Sequence, residues 1–350
     1  MFNIEEYQFD LPEDLIAQVP SSVRDGSRLL VVKRLQASFS DHFFFDLPQL
    51  LRPGDLLVVN NTKVVPARLF GRKESGGRIE ILVLDQGDIG GDRSQTRWCL
   101  FRSSKGPRKG TRLLFDKKLV GYVKSLGENG LVEIAFHGNS IDSHLEANGA
   151  MPLPPYIKRP LQDTRGGLDK ERYQTIFSKE KGAIASPTAG LHFTESLVKD
   201  LKKTGIEIVE VTLHVGHGTF RPVRSVDIRE HKLGEEGFHV SREAALAVSR
   251  AKKGGRRVIA VGTTVVRTLE SVFSEKGEIG HGRGKTELMI TPGYRFRVID
   301  GMITNFHLPG SSLLFLVSAL AGQELIRKAY RWAIERRYRF YSYGDAMLIL

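Results

Sequence analysis

Two short runs hold most of the groups in this chain that could do chemistry: Pro187-Thr188-Ala189-Gly190-Leu191-His192-Phe193-Thr194 and His214-Val215-Gly216-His217-Gly218-Thr219-Phe220. Each mixes glycine, histidine and hydroxyl residues, more functional groups than an ordinary turn needs. Two further loops have the same texture, Gly262-Thr263-Thr264 and His307-Leu308-Pro309-Gly310-Ser311-Ser312. Backbone N–H groups at a helix start, flanked by such hydroxyls, suit an anionic group such as a carboxylate. The run Asn60-Asn61-Thr62-Lys63-Val64-Val65-Pro66-Ala67-Arg68 fits either an anion or ribose site or a polar turn. Other chemistries find less support. Gly284-Lys285-Thr286 ends like a phosphate loop, but Ile279 stands where the earlier glycine is required. Gly216-His217-Gly218 lacks the third glycine of a dinucleotide fingerprint, where Arg221 stands. His214 and His217 have no third ligand set beside them, so no metal is expected.

The elements that position these runs follow from periodicity and caps. Thr194 is an N-cap for a helix over 195–203, with Glu195 at its positive end and Gly205 closing it. Ile206, Ile208, Val211 and Leu213 predict a buried strand over 206–213. Short strands are expected at 29–32, 56–59, 183–185, 258–261 and 302–306. Helices are expected at 244–252 after Ser241, from 264 to about 273, and after Ser312, with a weak point at Gly322 before an Arg-rich stretch over 324–337. Strand, polar loop and helix thus repeat. In a parallel α/β sheet such loops fall on the carboxyl edge, where ligands bind. If strand 206–213 is parallel to the others, all four polar loops meet there.

Between about 67 and 136 the texture changes to short apolar runs separated by glycine-rich turns, which predicts a small β-barrel or sandwich. The fold expected is α/β: a main domain over 1–66 and 152–350, with a β-barrel domain inserted at 67–151. The barrel loops are basic. Arg102, Lys105, Arg108, Lys109, Arg112, Lys117 and Lys118 crowd together with Asp116 as the one acid, as either a nucleic-acid contact or a solvated face. The 350 residues carry a net charge of +12, which favours an anionic partner, nucleic acid before a membrane surface. With 41% hydrophobic and 26% charged residues the chain is a folded protein. Cys99 alone excludes an intrachain disulfide and a thiolate zinc cluster, and no secretory signal or membrane-length apolar run is visible, so a cytoplasmic location is expected.

Leu51 to Asp55 with Asn60 to Arg68, Met151 to Pro155, Pro187 to Thr194, His214 to Pro222, Val261 to Glu270, Thr304 to Pro309 and Tyr341-Ser342-Tyr343-Gly344-Asp345-Ala346-Met347 form an ordered set of motifs over nearly the whole chain. In this it resembles the S-adenosylmethionine:tRNA ribosyltransferase-isomerase family. Two positions depart from the family pattern: Leu233 to Glu236 replace Met-His-Ser-Glu, and Gly310 replaces a lysine. The resemblance implies an enzyme that moves the ribosyl unit of S-adenosylmethionine to the aminomethyl group of a 7-deazaguanine in the anticodon arm of tRNA. The ribose becomes an epoxycyclopentane, while adenine and methionine leave. It implies S-adenosylmethionine as co-substrate, no permanently bound cofactor, no membrane and a monomer. Under this resemblance His192 and His214 are candidate bases and Asp345 a candidate acid or orienter. Arg267 with Thr263 and Thr264 is expected to hold the methionine carboxylate. Asn61, Lys63, Arg68, Thr188, His217, Thr219, Arg221, His307 and Tyr343 are expected around the substrates, and Lys105, Arg108 and Lys109 on the tRNA. The alternatives are an RNA methyltransferase, against which the missing glycine fingerprint counts, and a non-catalytic tRNA-binding protein, which would not need the polar loops.

Overall fold

The computed structural model describes residues 2–84, 95–116, 119–160, 163–216, 223 and 225–350. The chain divides into two units, one of Met1–Lys63, Pro154–Pro160 and Arg172–Leu350, the other of Val64–Leu153 and Leu161–Glu171. In chain order the first contributes β1 (Arg28–Lys33), β2 (Ser38–Phe43), a single turn α1 (Leu47–Leu50), β3 (Leu56–Asn60) and β4 (Thr62–Val64). The second unit follows with β5 (Arg68–Lys73), β6 (Arg78–Val83), β7 (Thr96–Arg102), β8 (Arg112–Leu114), β9 (Leu119–Leu126), β10 (Leu131–Gly138), α2 (Ile141–Asn148) and α3 (Gly166–Arg172). Its six strands pair antiparallel throughout and close into a barrel, a form without an open edge. Alternate residues such as Ile79, Ile81 and Val83 fill the interior, with Ile141 and Leu145 of α2 joining that core.

The first unit then resumes with β11 (Glu180–Ala183), α4 (Glu195–Lys203), β12 (Glu207–Leu213), β13 (Glu236–Val240), α5 (Arg242–Lys253), β14 (Val258–Val261), α6 (Thr263–Val272), β15 (Gly282–Thr286), β16 (Gly301–Asn305), α7 (Ser312–Ala321), α8 (Gln323–Glu335) and β17 (Ala346–Ile349). Nine strands form one sheet in the order β15-β13-β12-β3-β14-β16-β17-β1-β2. β12, β3, β14 and β16 lie side by side and parallel, so the condition for convergence of the polar loops is met. The strands are continuous apolar runs because both faces are covered. Leu30, Val32, Leu56 and Val58 enter one core with α5 to α8, whereas Leu29, Val31, Leu57 and Val59 enter another with Phe44, Leu197 and Leu201.

The structure departs from the expected elements in three places. The strand expected at 183–185 is β11, which pairs with β4 in a separate two-stranded ribbon. Gly182 in that strand has φ +147°, and Glu180 and Lys181 are exposed, so the segment cannot serve as a core strand. β2, β13 and β15 lie toward the two ends of the sheet and carry mostly polar residues, so no apolar run announces them. Gly322, at φ +88°, turns the chain between α7 and α8, which are two helices rather than one. No described helix is long and apolar enough to cross a membrane.

Candidate active site

The carboxyl ends of the parallel strands open onto one cleft. It is lined by Ser186 to Ala189 from the β11–α4 connection, Val215 after β12, Gly262 to Thr264 after β14, and Thr304 to Leu308 after β16, with Tyr156, Tyr341 and Ser342 completing the wall. None of these lining residues is charged. Gly262 adopts φ +91° and gives α6 no side-chain cap, so the first N–H groups of that helix start in the cleft wall without one. Asn60 fixes this corner. Its Nδ2 donates to Thr264 Oγ1 at 3.1 Å and Leu213 O at 3.0 Å, and its Oδ1 accepts from the N–H groups of Thr62 and Leu213. One side chain therefore ties the ends of β3 and β12 to the start of α6.

Of the residues expected at the site, Thr188, Thr263, Thr264 and His307 line the cleft. His307 is buried, with Nε2 2.9 Å from Thr304 Oγ1 and its backbone N–H donating to the Tyr330 hydroxyl. Burial pushes its pKa down to about 3, so the ring is neutral at pH 7. His214 is not among the lining residues, although it precedes Val215, which is; it is half-buried, with Nδ1 2.8 Å from Thr62 Oγ1. Burial lowers its pKa, Glu180 acts the other way and Arg283 reinforces the lowering. Its ring lies against Gly182, where a Cβ would come within 2.9 Å of it.

His192 is not among the residues that line the cleft; it lines a small neighbouring cavity with Ser342, which both share. It is buried, stacked on Phe44, with Nδ1 2.6 Å from Ser27 Oγ and Nε2 3.2 Å from Asn305 Nδ2. Burial, and then the charges of Arg339 and Arg24, push its pKa down to about 3. Both ring nitrogens are engaged within the protein, by Ser27 and Asn305. Arg267 is not among the residues that line the cleft. Its guanidinium is buried against Glu236 and donates from Nε to Leu288 O at 3.0 Å, because a cation at that depth needs a carboxylate partner. Glu236 also accepts from the Gly216 N–H at 2.9 Å, which braces the loop after β12. Asp345 accepts from the backbone N–H groups of Arg28 and Arg339 at 3.1 and 2.8 Å and anchors the start of β17. Tyr343 is buried edge-on to Tyr173. Asn61 bonds Glu210 and Thr212 of β12, and Lys63 lies half-buried in β4. Arg68 belongs to the second unit, where it bonds Leu153 O and pairs with Glu80. Lys105, Arg108 and Lys109 lie exposed between β7 and β8. His217, Thr219, Arg221, Lys117 and Lys118 lie outside the described residues.

Sequence reasoning did not single out Asn305, Ser186, Tyr156 or Tyr341. Asn305 and Tyr341 stand inside the motifs Thr304 to Pro309 and Tyr341 to Met347, which was the available signal, but neither residue type announces a role.

A family model described as queuosine biosynthesis protein matches residues 4–349. The chain is 50% identical to the S-adenosylmethionine:tRNA ribosyltransferase-isomerase of Symbiobacterium thermophilum, over 99% of both chains. It is 47% identical to the protein of that name from Geobacter metallireducens, again over 99% of both. It is similar to the crystal structure of an S-adenosylmethionine tRNA ribosyltransferase from Thermotoga maritima, with 36% identity, a TM-score of 0.56 and coverage of 99% of this chain and 100% of that one.

Proposed function

The chain belongs to the queuosine biosynthesis protein family, and from that premise we propose that it transfers and isomerises the ribosyl unit of S-adenosylmethionine onto 7-aminomethyl-7-deazaguanine in tRNA. Epoxyqueuosine forms, and adenine and methionine leave. The observation that carries this reading is the cleft, uncharged in its described lining, where residues from four polar loops and the start of α6 meet. The sulfonium acidifies the neighbouring C5′ hydrogens, so the chemistry needs a neutral base. His214 is that base in this reading. Its lowered pKa keeps it unprotonated at pH 7, and the Nδ1 bond to Thr62 orients the ring so that Nε2 takes the proton. Thr188, Thr263, Thr264 and His307 supply hydrogen bonds to the co-substrate, and the N–H groups at the start of α6 face its acceptor atoms. Arg267 and Asp345 brace the loops instead of touching substrate. The cations Lys105, Arg108 and Lys109 hold the tRNA backbone. The protein works in the cytoplasm, as a monomer, with S-adenosylmethionine arriving as a co-substrate and no resident cofactor.

The test is product identity. The protein is incubated with S-adenosylmethionine and tRNA bearing the aminomethyl-deazaguanine, and the small products are identified by mass. Adenine and methionine together are expected. S-adenosylhomocysteine would make it a methyltransferase, and no turnover would remove the enzymatic reading.

A further inference from the structure

Asn305, at the end of β16, lines the cleft and is 2% exposed, yet only half of its carboxamide is satisfied by the protein. Nδ2 donates to Tyr341 O at 3.1 Å and to His192 Nε2 at 3.2 Å. Oδ1 is buried and has no protein partner among the described residues. A buried acceptor in that condition is costly and calls for an explanation.

The direction of the amide is set by Tyr341. Tyr341 O can only accept, so the atom facing it is the nitrogen. The same nitrogen faces His192 Nε2, which matches a neutral imidazole with its proton on Nδ1, toward Ser27 Oγ at 2.6 Å. Burial keeps the ring to one proton at pH 7. Both hydrogens of the Asn305 amide are thereby used, and Oδ1 is left as an acceptor of fixed sense.

We propose that Asn305 Oδ1 reads the exocyclic amino group of the adenine of S-adenosylmethionine, and that His192 is the positioning residue that holds the amide in that sense. This rests on the assignment of S-adenosylmethionine as co-substrate. The chemistry of the cleft selects the adenine end. None of the described residues that line it is charged, so none of them offers the methionine carboxylate or ammonium a side-chain counterion. An adenine edge presents one amino donor flanked by ring-nitrogen acceptors. Asn305 contributes an acceptor to this lining, which also includes the hydroxyl residues Ser186, Thr263 and Thr304 as possible donors. A guanine-type edge presents donors on two adjacent atoms and would ask for a carboxylate or a second fixed acceptor. Tyr156, Phe306 and Tyr341 supply apolar wall for a flat base.

The discriminating ligand is S-inosylmethionine, in which a carbonyl replaces the amino group and would set acceptor against acceptor. Calorimetric titration of the tRNA-free protein should show it binding about 10- to 100-fold more weakly than S-adenosylmethionine. In Asn305→Ala the ratio should fall to within about threefold, since no acceptor remains to discriminate. His192→Gln keeps an acceptor for Nδ2 and should retain the ratio, whereas His192→Leu should lower it. A merely structural histidine would leave the ratio alone in both. Equal binding of the two compounds by the unaltered protein overturns the proposal, as does full discrimination by Asn305→Ala. The unaltered protein needs no variant to fold, so the comparison stands by itself. If neither compound binds, the co-substrate assignment fails and this inference falls with it. If both bind equally, only the role of Asn305 is lost.

Discussion

His192 and His307 make acid a specific threat to this fold. Each is held neutral by burial, with its pKa pushed down to about 3 from the 6.5 of an exposed histidine. The unfolded chain therefore binds protons below pH 6.5 that the folded chain refuses. The stabilisation is complete above that value and is lost as pH falls toward 3. Each residue should cost about 1.4 kcal/mol per pH unit, or about 2 kcal/mol between pH 6.5 and 5. Urea midpoints at pH 7, 6 and 5 should fall steeply. The fall should be shallower in His307→Gln, which keeps polarity without titrating, and an identical slope in both proteins would refute the argument. His214 acts on rate instead. His214→Gln should reduce turnover by about 10² or more, the usual size of a proton-transfer contribution, with the melting temperature little changed. Its pKa is lowered, so the acid limb of the rate profile should lie below 6.5. A limb above 6.5 would point to another base.

At the scale of elements, two local devices bear on the cleft. Thr194 caps α4 by accepting from the Leu197 N–H at 3.1 Å, and donates to Asp25 at 2.6 Å. Thr194→Ala should cost about 1 kcal/mol in chemical denaturation, and Thr194→Ser should recover most of it. Gly182 in β11 is the second device. At φ +147° an alanine is strained there, and its Cβ would fall 2.9 Å from the His214 ring. Gly76, in the barrel unit, has φ +88° and nothing within 4 Å of an added Cβ. Both substitutions to alanine should lower stability through the backbone, but only Gly182→Ala should also lower turnover at saturating substrates, because it displaces the base. Equal turnover in the two variants would show that the position of His214 is not limiting.

For the whole molecule the relevant property is the net charge of +12 and where it lies. The barrel unit carries Lys105, Arg108 and Lys109 in one connection, while the described residues lining the cleft in the other unit are uncharged. Cations that neutralise phosphates release counterions, so tRNA affinity should fall steeply with salt. Replacing all three by alanine should weaken modified and unmodified tRNA about equally. The salt slope should flatten by roughly 0.7–0.9 for each phosphate no longer neutralised. Turnover at saturating tRNA should change little, since interactions equal in ground and transition states affect binding alone. Titrations of both tRNAs at several salt concentrations give the slopes, and an unchanged slope would place the tRNA elsewhere, with the stretch over 327–339 next to be tried.

How much of this was legible in the chain alone depends on the range of the forces involved. Caps and periods act over a few residues, so Thr194 and Ser241 marked their helices, and the runs 56–59 and 258–261 marked strands that the structure contains. The ordered motifs carried the family. The convergence of the polar loops was legible only as a condition, because the direction of β12 is decided by its pairing with β3 rather than by its own residues. Side-chain roles lay further out of reach. A histidine in a glycine-rich run looks the same whether it will face substrate or core. His192 was decided by Ser27, 165 positions away, and by Asn305, 113 positions away. Arg267 reads as a carboxylate clamp in the chain, and only the fold brings Glu236 against its guanidinium. The acceptor of Asn305 could not be read from the chain at all. Its sense depends on which atoms surround it, and burial, charge pairing and amide direction exist only once distant segments are packed together.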